Sequence, residues 1–311
     1  MITIFSSPKP FKNDHINNIQ TNAIRSWTLL KPTPEIILFG KEKGIAEISN
    51  EFNICHIEDI RYNKFGTPYL DSIFSIAQEL ATNEIVCYIN SDIILQQDFL
   101  EAVQIVRGLM DRFLIVGQRW DLDLAGELDF NSPNWAKTLT LKARRNGILH
   151  DSTAIDFFAF PSKNIGKFPP FFLGRRFWDH WFIWRVKSLN IPIIDITSVA
   201  VVIHQNHTHN HIAGGFMYGP EALWNKKLGG KWLYRYDIYQ SSYELTAKGL
   251  RRKFHPLTEP FLRILHLFYR EGLEFLGYFL PLNILRNSLF FRKIHSFLLT
   301  KLLTHHKSPG F

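Results

Sequence analysis

The stretch 63–95, "NKFGTPYLDSIFSIAQELATNEIVCYINSDIIL", decides how this chain is read. It opens on a Gly- and Pro-containing loop. It then runs into a helical segment with Leu70, Ile73, Phe74, Ala77 and Leu80 on one face, followed by an apolar strand, "EIVCYI". The strand stops at Asn90-Ser91-Asp92, and apolar character returns at Ile93, Ile94 and Leu95. A carboxylate is costly in an apolar interior unless something pairs with it. The triplet therefore marks the point where a core strand leaves the core.

Upstream, "MITIF" reads as a strand, and "HINNIQTNAIRSWTLL" (15–30) carries Ile16, Ile19, Ala23, Ile24 and Trp27 at helical spacing. "PEIILFG" is a second strand, "KGIAEISNEF" a short helix and "NICHI" a third strand. Strand and helix thus alternate through the first 95 residues at βαβ lengths, which predicts an α/β fold with a doubly wound, mostly parallel sheet flanked by helices. In such sheets ligands bind beyond the carboxyl ends of the strands. The Ser6-Ser7-Pro8 loop and the Asn90-Ser91-Asp92 turn both lie at such ends.

Downstream the pattern changes. "FLIVGQRWDLDL" (113–124) reads as one strand, "AIDFFAFP" (154–161) as an apolar strand enclosing Asp156, and "FFLGRRFWDHWFIWRVKSLN" (171–190) as a glycine-containing loop entering a helix. "IPIIDIT" and "VAVVIH" are strands. "QNHTHNHIAGG" (205–215) is a loop, and "GPEALWNKKLGG" is a short helix capped by Gly229. Gly214, Gly215 and Gly219 belong to a loop of the kind that closes over a ligand.

Composition sets limits. The net charge is +8, but residues 251–311 hold ten Lys and Arg against three Glu, so +7 of it sits in the tail. A footprint for nucleic acid across the whole protein is excluded on that distribution. The aromatic content, with 27 Phe, 10 Tyr and 8 Trp, suits either a dense core or ring-stacking surfaces. The two cysteines, Cys55 and Cys87, lie in apolar runs and read as buried reduced thiols rather than a disulfide framework. The amino-terminal sequence lacks the pattern of a signal peptide, and no apolar run reaches the ~18–20 residues of a spanning helix.

Four stretches in order, "TIFSSPKPF", the 63–95 segment, "GRRFWDHW" and "VVIHQNH", make residues 1–235 resemble the GT-A-type glycosyltransferases, in particular the family 2-like sugar-nucleotide enzymes. The resemblance implies a catalytic domain over 1–243, with a nucleotide-binding half (1–95) and an acceptor half (96–243), and a basic amphipathic helical tail over 244–311. It implies transfer of a sugar from a nucleotide-sugar donor to a hydroxyl of a saccharide or lipid-linked acceptor. The donor site would draw on Ser6, Ser7, Pro8, Asn63, Gly66, Thr67, Asn90, Ser91 and Asp92.

In that family an Asp-x-Asp motif stands where Asn90-Ser91-Asp92 stands here, and its carboxylate holds a divalent ion, Mn²⁺ or Mg²⁺, on the donor diphosphate. Asn90 departs from the pattern, because an amide brings no charge. An ordinary Asx turn at a strand end is the competing reading. A late histidine supplies a further metal ligand in many relatives, which points to His204 first and His207 second. His209 and His211 read as a solvated loop, and the spacing does not match a structural zinc site.

An acidic residue in the place of Asp179 is the family's general base. Asp179 also suits the first turn of any helix. Asp156, Gly174, Arg175 and Trp178 would contact donor or acceptor sugar, with core packing as the alternative for Trp178 and Trp181. "RWDLDL" holds Asp121 and Asp123 in a second Asp-x-Asp string, which is set aside as the metal motif because it follows the nucleotide-binding half. The tail either covers the catalytic domain or binds an anionic membrane surface. The expected location is cytoplasmic, at the inner face of a membrane if the tail anchors there. Two other functions fit less of the sequence. A nucleotidyltransferase would favour a Gly-rich loop after the first strand, and "SSPKPF" is not Gly-rich. A non-catalytic scaffold is kept open by Asn90.

Overall fold

The computed structural model of the chain describes residues 1–207, 219–230 and 236–254. Residues Met1–Lys253 form one compact unit. Its first part alternates β1 (Ile2–Ser6), α1 (Asp14–Thr28), β2 (Glu35–Phe39), α2 (Ile45–Phe52), β3 (Cys55–Ile57), α3 (Leu70–Leu80) and β4 (Ile85–Ile89). There follow β5 (Ile93–Ile94), α4 (Gln97–Leu109), β6 (Leu114–Val116), β7 (Arg119–Leu122), α5 (Trp135–Asn146), β8 (Ile148–Leu149) and β9 (Phe157–Pro161). The remainder is α6 (Trp178–Ser188), β10 (Ile193–Asp195), β11 (Val202–Gln205), α7 (Pro220–Gly229), β12 (Tyr243–Thr246) and β13 (Gly249–Arg252).

Nine strands form one mostly parallel sheet in the order β13-β12-β10-β6-β9-β4-β1-β2-β3. β9 runs antiparallel between β4 and β6, so residues before and after position 95 share a single sheet. The two-residue alternation of strand side chains sorts the core into two layers. Ile4 of β1 with Ile85 and Cys87 of β4 meet Trp27 of α1, Ile48 of α2 and Phe99 of α4 on one face. Phe5, Val86 and Tyr88 meet Phe74 of α3 and Phe182 of α6 on the other. Helix α1 is started by Asn13, whose side chain accepts from the Ile16 amide at 3.0 Å.

A smaller sheet, β5-β11-β7-β8, stands beside the large one. Residues 113–124 therefore make two strands rather than one. β6 joins the large sheet, and the chain turns at Gly117 and Gln118 before β7 joins the small one.

The compact unit runs to Lys253, past the expected limit at residue 243, because β12 and β13 pair as a hairpin on the edge of the large sheet. Gly229 is the last helical residue of α7, and Gly230, with φ of 96°, makes the cap. Cys55 is exposed, because β3 is an edge strand, whereas Cys87 is buried in β4. The tail over 255–311 lies outside the described residues. Among the described residues no helix is long and apolar enough to cross a membrane.

Candidate functional site

The small sheet builds the site. β11 lies between β5 and β7, with His204 opposite Ile93 on one side and Asp121 on the other. That register carries His204 to Asp92, one residue before Ile93. The Gln205 amide donates to the Asp92 carbonyl at 3.2 Å and locks β11 to the turn. His207 follows two residues later, and its Nε2 is 2.9 Å from Asp92 Oδ2. His204 Nε2 is 4.0 Å from the same oxygen. One ligand atom from each of Asp92, His204 and His207 lies within 4.8 Å of the others, close enough for one ion to reach all three.

Asp92 is 8% exposed, and its Oδ1 is buried with no hydrogen-bond partner among the described residues. Burial opposes its charge. The hydrogen bond from His207 and the neighbouring Lys9, His204 and His207 outweigh that cost and hold the carboxyl well below the usual range. An ionised, buried carboxylate with one unused oxygen, flanked by two imidazoles, fits a divalent cation.

The second layer fixes the first. His204 Nδ1 is 3.0 Å from Asp121 Oδ1. An ionised carboxylate only accepts, so Nδ1 carries a proton, and Nε2 is the ring nitrogen left to face Asp92. Asp121 also accepts from His150 Nδ1 at 2.5 Å and from Arg119 Nε at 2.9 Å. Burial works against the Asp121 charge, but these hydrogen bonds hold its carboxyl well below the usual range. Asp123 lies beyond this network and accepts from the Asn206 side chain. Asp121 does belong to the site, as the residue that orients His204. Position along the chain could not reveal this, because strand register decides it.

Asn90 does not face the cluster. Its amide nitrogen donates to Asp156 Oδ1 at 2.7 Å, its carbonyl oxygen accepts from the Tyr88 hydroxyl at 2.9 Å, and its backbone N–H reaches the Asp156 carbonyl at 2.9 Å. Asp156 also takes Arg119 Nη1 at 2.8 Å on both oxygens. It is a buried anchor for Arg119 and Asn90 rather than an open sugar contact. Ser91 donates to Gln20 at 2.9 Å, and the same buried Gln20 binds the backbone N–H and C=O of Lys9. Ser6 is tied to the Ile89 carbonyl at 2.6 Å. Ser7 Oγ is buried without a partner, and Pro8 is buried. Lys9, Gln20, Arg119 and His150 were not foreseen. The only hint was a lysine in the loop after the first strand.

Asp179 lies in the first turn of α6, and its Oδ1 is buried with no hydrogen-bond partner among the described residues. The helix starts from Phe177, whose φ of 85° is unusual for an aromatic residue. Its ring is held at 6% exposure. Burial first, then the carboxylates of Asp92, Asp156 and Asp179, push the Tyr88 hydroxyl up, so Tyr88 lies within reach of all three charges. Trp178 is not a sugar platform. It is 6% exposed and packs edge-on against Tyr88 at 5.1 Å and Phe74 at 6.3 Å. Trp181 is buried with it, against Phe168 and Phe171.

The remaining expected residues gather elsewhere. Asn63 Oδ1 accepts from the amides of Phe65 and Thr67, and its side-chain amide donates to Glu221. Arg175 reaches Glu221 at 2.7 and 2.6 Å and Thr67 at 3.4 Å. Gly66 and Gly174 are exposed turn residues with φ of 82° and 67°. A groove of about 430 Å³ opens here among Asn63, Phe65, Tyr69, Phe172, Glu221 and Trp224, and its lining does not include the Asp92 cluster. His209, His211, Gly214 and Gly215 lie outside the described residues, and Gly219 is the N-cap of α7.

No protein-family model matches the chain, and no curated protein matches it. Among solved structures it is similar to S. aureus TarS 1-349 in complex with UDP-GlcNAc, at 11% identity and a TM-score of 0.49, over 73% of this chain and 65% of that one. It is also similar to the mannosyltransferase PcManGT from Pyrobaculum calidifontis in complex with GDP-Man and Mn²⁺. That match is at 14% identity and a TM-score of 0.41, over 68% of this chain and 58% of that one. The chain spans 60–65% of the length of the TarS chains it matches.

Proposed function

We propose that this chain is a nucleotide-sugar-dependent glycosyltransferase. The observation that carries the reading is the Asp92–His204–His207 cluster at the carboxyl end of β4, with a buried carboxylate oxygen that has no partner among the described residues. The resemblance of the 63–95 stretch supplies the reaction class. In this reading Asp92, His204 and His207 hold a divalent ion. When bound, that ion would neutralise charge on the departing nucleoside diphosphate. Two imidazoles disfavour Mg²⁺, which takes oxygen ligands, and suit a first-row transition ion, for which Mn²⁺ serves as the probe.

The chain's own residues have distinct tasks. Asp121 keeps the His204 ring turned. Gln20 holds the loop after β1 against the Asp92 turn. Asp179, with a buried oxygen that no group among the described residues uses, takes the proton of the acceptor hydroxyl. Direct displacement with such a base inverts the anomeric carbon. A saccharide or lipid-linked acceptor and a cytoplasmic location belong to the same proposal.

The test is release of nucleoside diphosphate from a panel of UDP- and GDP-sugars with Mn²⁺ and simple acceptors, on wild type and Asp179→Asn. The expected outcome is turnover of one donor in the wild type. Asp179→Asn should lower kcat by about 10²–10⁴ while leaving donor binding in place. Equal turnover in both proteins would remove Asp179 from the chemistry. No release from any donor would contradict the reading as a whole.

A further inference from the structure

Lys9 reaches the same carboxylate as the two histidines. Its Nζ is 3.6 Å from Asp92 Oδ2 and 3.2 Å from His207 Nε2. His207 Nε2 is itself 2.9 Å from Asp92 Oδ2. One ring nitrogen thus faces a group that only donates and a group that only accepts. A single imidazole nitrogen either carries a proton or presents a lone pair, so it satisfies one of these partners and not both. A cation held by the carboxylate and the lone pair together removes the conflict, and Lys9 already places one positive charge beside that position.

The loop is built for such an exchange. The backbone of Lys9 is clamped on both sides by Gln20, with its N–H donating at 2.6 Å and its C=O accepting at 2.8 Å. Gln20 is 1% exposed. The side chain, in contrast, is 36% exposed, and it is a flexible four-carbon stem carrying a point charge. Its root is fixed and its tip can leave.

We propose that Lys9 and a divalent ion are alternative occupants of the position between Asp92 and His207. The ammonium neutralises Asp92 when no metal is bound. The incoming ion displaces it into the crevice, where it meets the anionic, diphosphate-bearing end of the ligand. The second half of this statement rests on the function proposed above, whereas the exchange itself does not. Lys9 is in this sense a positioning residue that sets how tightly the site takes metal and couples metal entry to anion binding.

The experiment is a Mn²⁺ titration of the full chain followed by the electron paramagnetic resonance signal of free Mn²⁺. It uses wild type, Lys9→Met, Lys9→Gln, Lys9→Arg and Asp92→Asn. Removing the competing charge should tighten Mn²⁺ binding about tenfold or more in both neutral variants. Lys9→Arg should stay near the wild type, and Asp92→Asn should lose the site. With Mn²⁺ saturating, inorganic pyrophosphate should bind more weakly to the neutral variants than to the wild type. Unchanged or weaker Mn²⁺ binding in both neutral variants would overturn the exchange, as would no Mn²⁺ binding in any of the proteins. Pyrophosphate binding that ignores Lys9 would overturn the second half alone. Because neither readout needs sugar transfer, tighter Mn²⁺ binding alongside an absence of turnover would sink the transferase reading and leave the exchange standing.

Discussion

Two carboxylates with basic neighbours, the half-buried Glu221 and the buried Asp92, differ in how fully they are used. Glu221 is closed. Nε and Nη2 of Arg175, the Asn63 amide and the Thr67 hydroxyl converge on it, and despite partial burial they hold its carboxyl below the usual range. Asp92 is open. One oxygen is crowded by Lys9, His204 and His207, and the other is buried with no partner among the described residues. A saturated polar cluster inside a protein fixes structure, whereas a buried polar atom left over calls for a further partner such as water or an ion. The Arg175 latch joins the loop after β3, the approach to α6 and the start of α7, which is why several residues expected at the donor site gather there instead.

The comparison can be broken by substitution, and the largest expected effect is at the latch. Glu221→Ala leaves the Arg175 guanidinium in a site where the side chain is 17% exposed, with its partner gone. Breaking such a pair costs about 3–5 kcal/mol, readable as a lower midpoint in urea unfolding. Wild-type stability in Glu221→Ala would mean that the cluster is not a latch.

A smaller effect sharpens the open side. Asp121 holds His204 and His150 together. The His150 pKa is raised, first by its hydrogen bond to Asp121, against burial, which lowers it. A raised folded-state pKa adds stability that is fully present below the unfolded value of about 6.5 and is lost as pH rises through the folded value. An NMR titration should place the His150 ring above the ordinary histidine range, and Asp121→Asn should bring it back. No change between the two proteins would show that Asp121 does not organise the small sheet.

The parallel half of the fold was legible because β1, β2 and β4 are short, nearly continuous apolar runs and the helices between them keep an apolar spacing of 3.6. Asp92 was legible because a carboxylate interrupts an apolar run. What escaped the sequence depends on contacts between distant segments. Register across β5, β11 and β7 places Asp121 and Asp92 on either side of His204, and spacing along the chain does not encode it. Helical spacing of Trp178 and Trp181 looks the same whether the face meets sugar or Phe74, and the structure puts them in the core. Residues 113–116 are apolar and residues 119–124 alternate polar and apolar, but nothing in that pattern says that the two parts join different sheets. Lys9 carried a charge in a loop, but only the Gln20 clamp turns it toward Asp92.

The most direct measurement is a thermal-shift titration with a panel of nucleoside diphosphates, with and without Mn²⁺, on wild type, Asp92→Ala and Glu221→Gln. A ligand well above its Kd raises the melting temperature by mass action. The account expects one nucleotide to give a Mn²⁺-dependent rise in the wild type, retained above the lowered baseline of Glu221→Gln and absent from Asp92→Ala. A rise of equal size in Asp92→Ala, or one that depends on Glu221 and not on Asp92, would contradict the assignment of the open cluster as the ligand site.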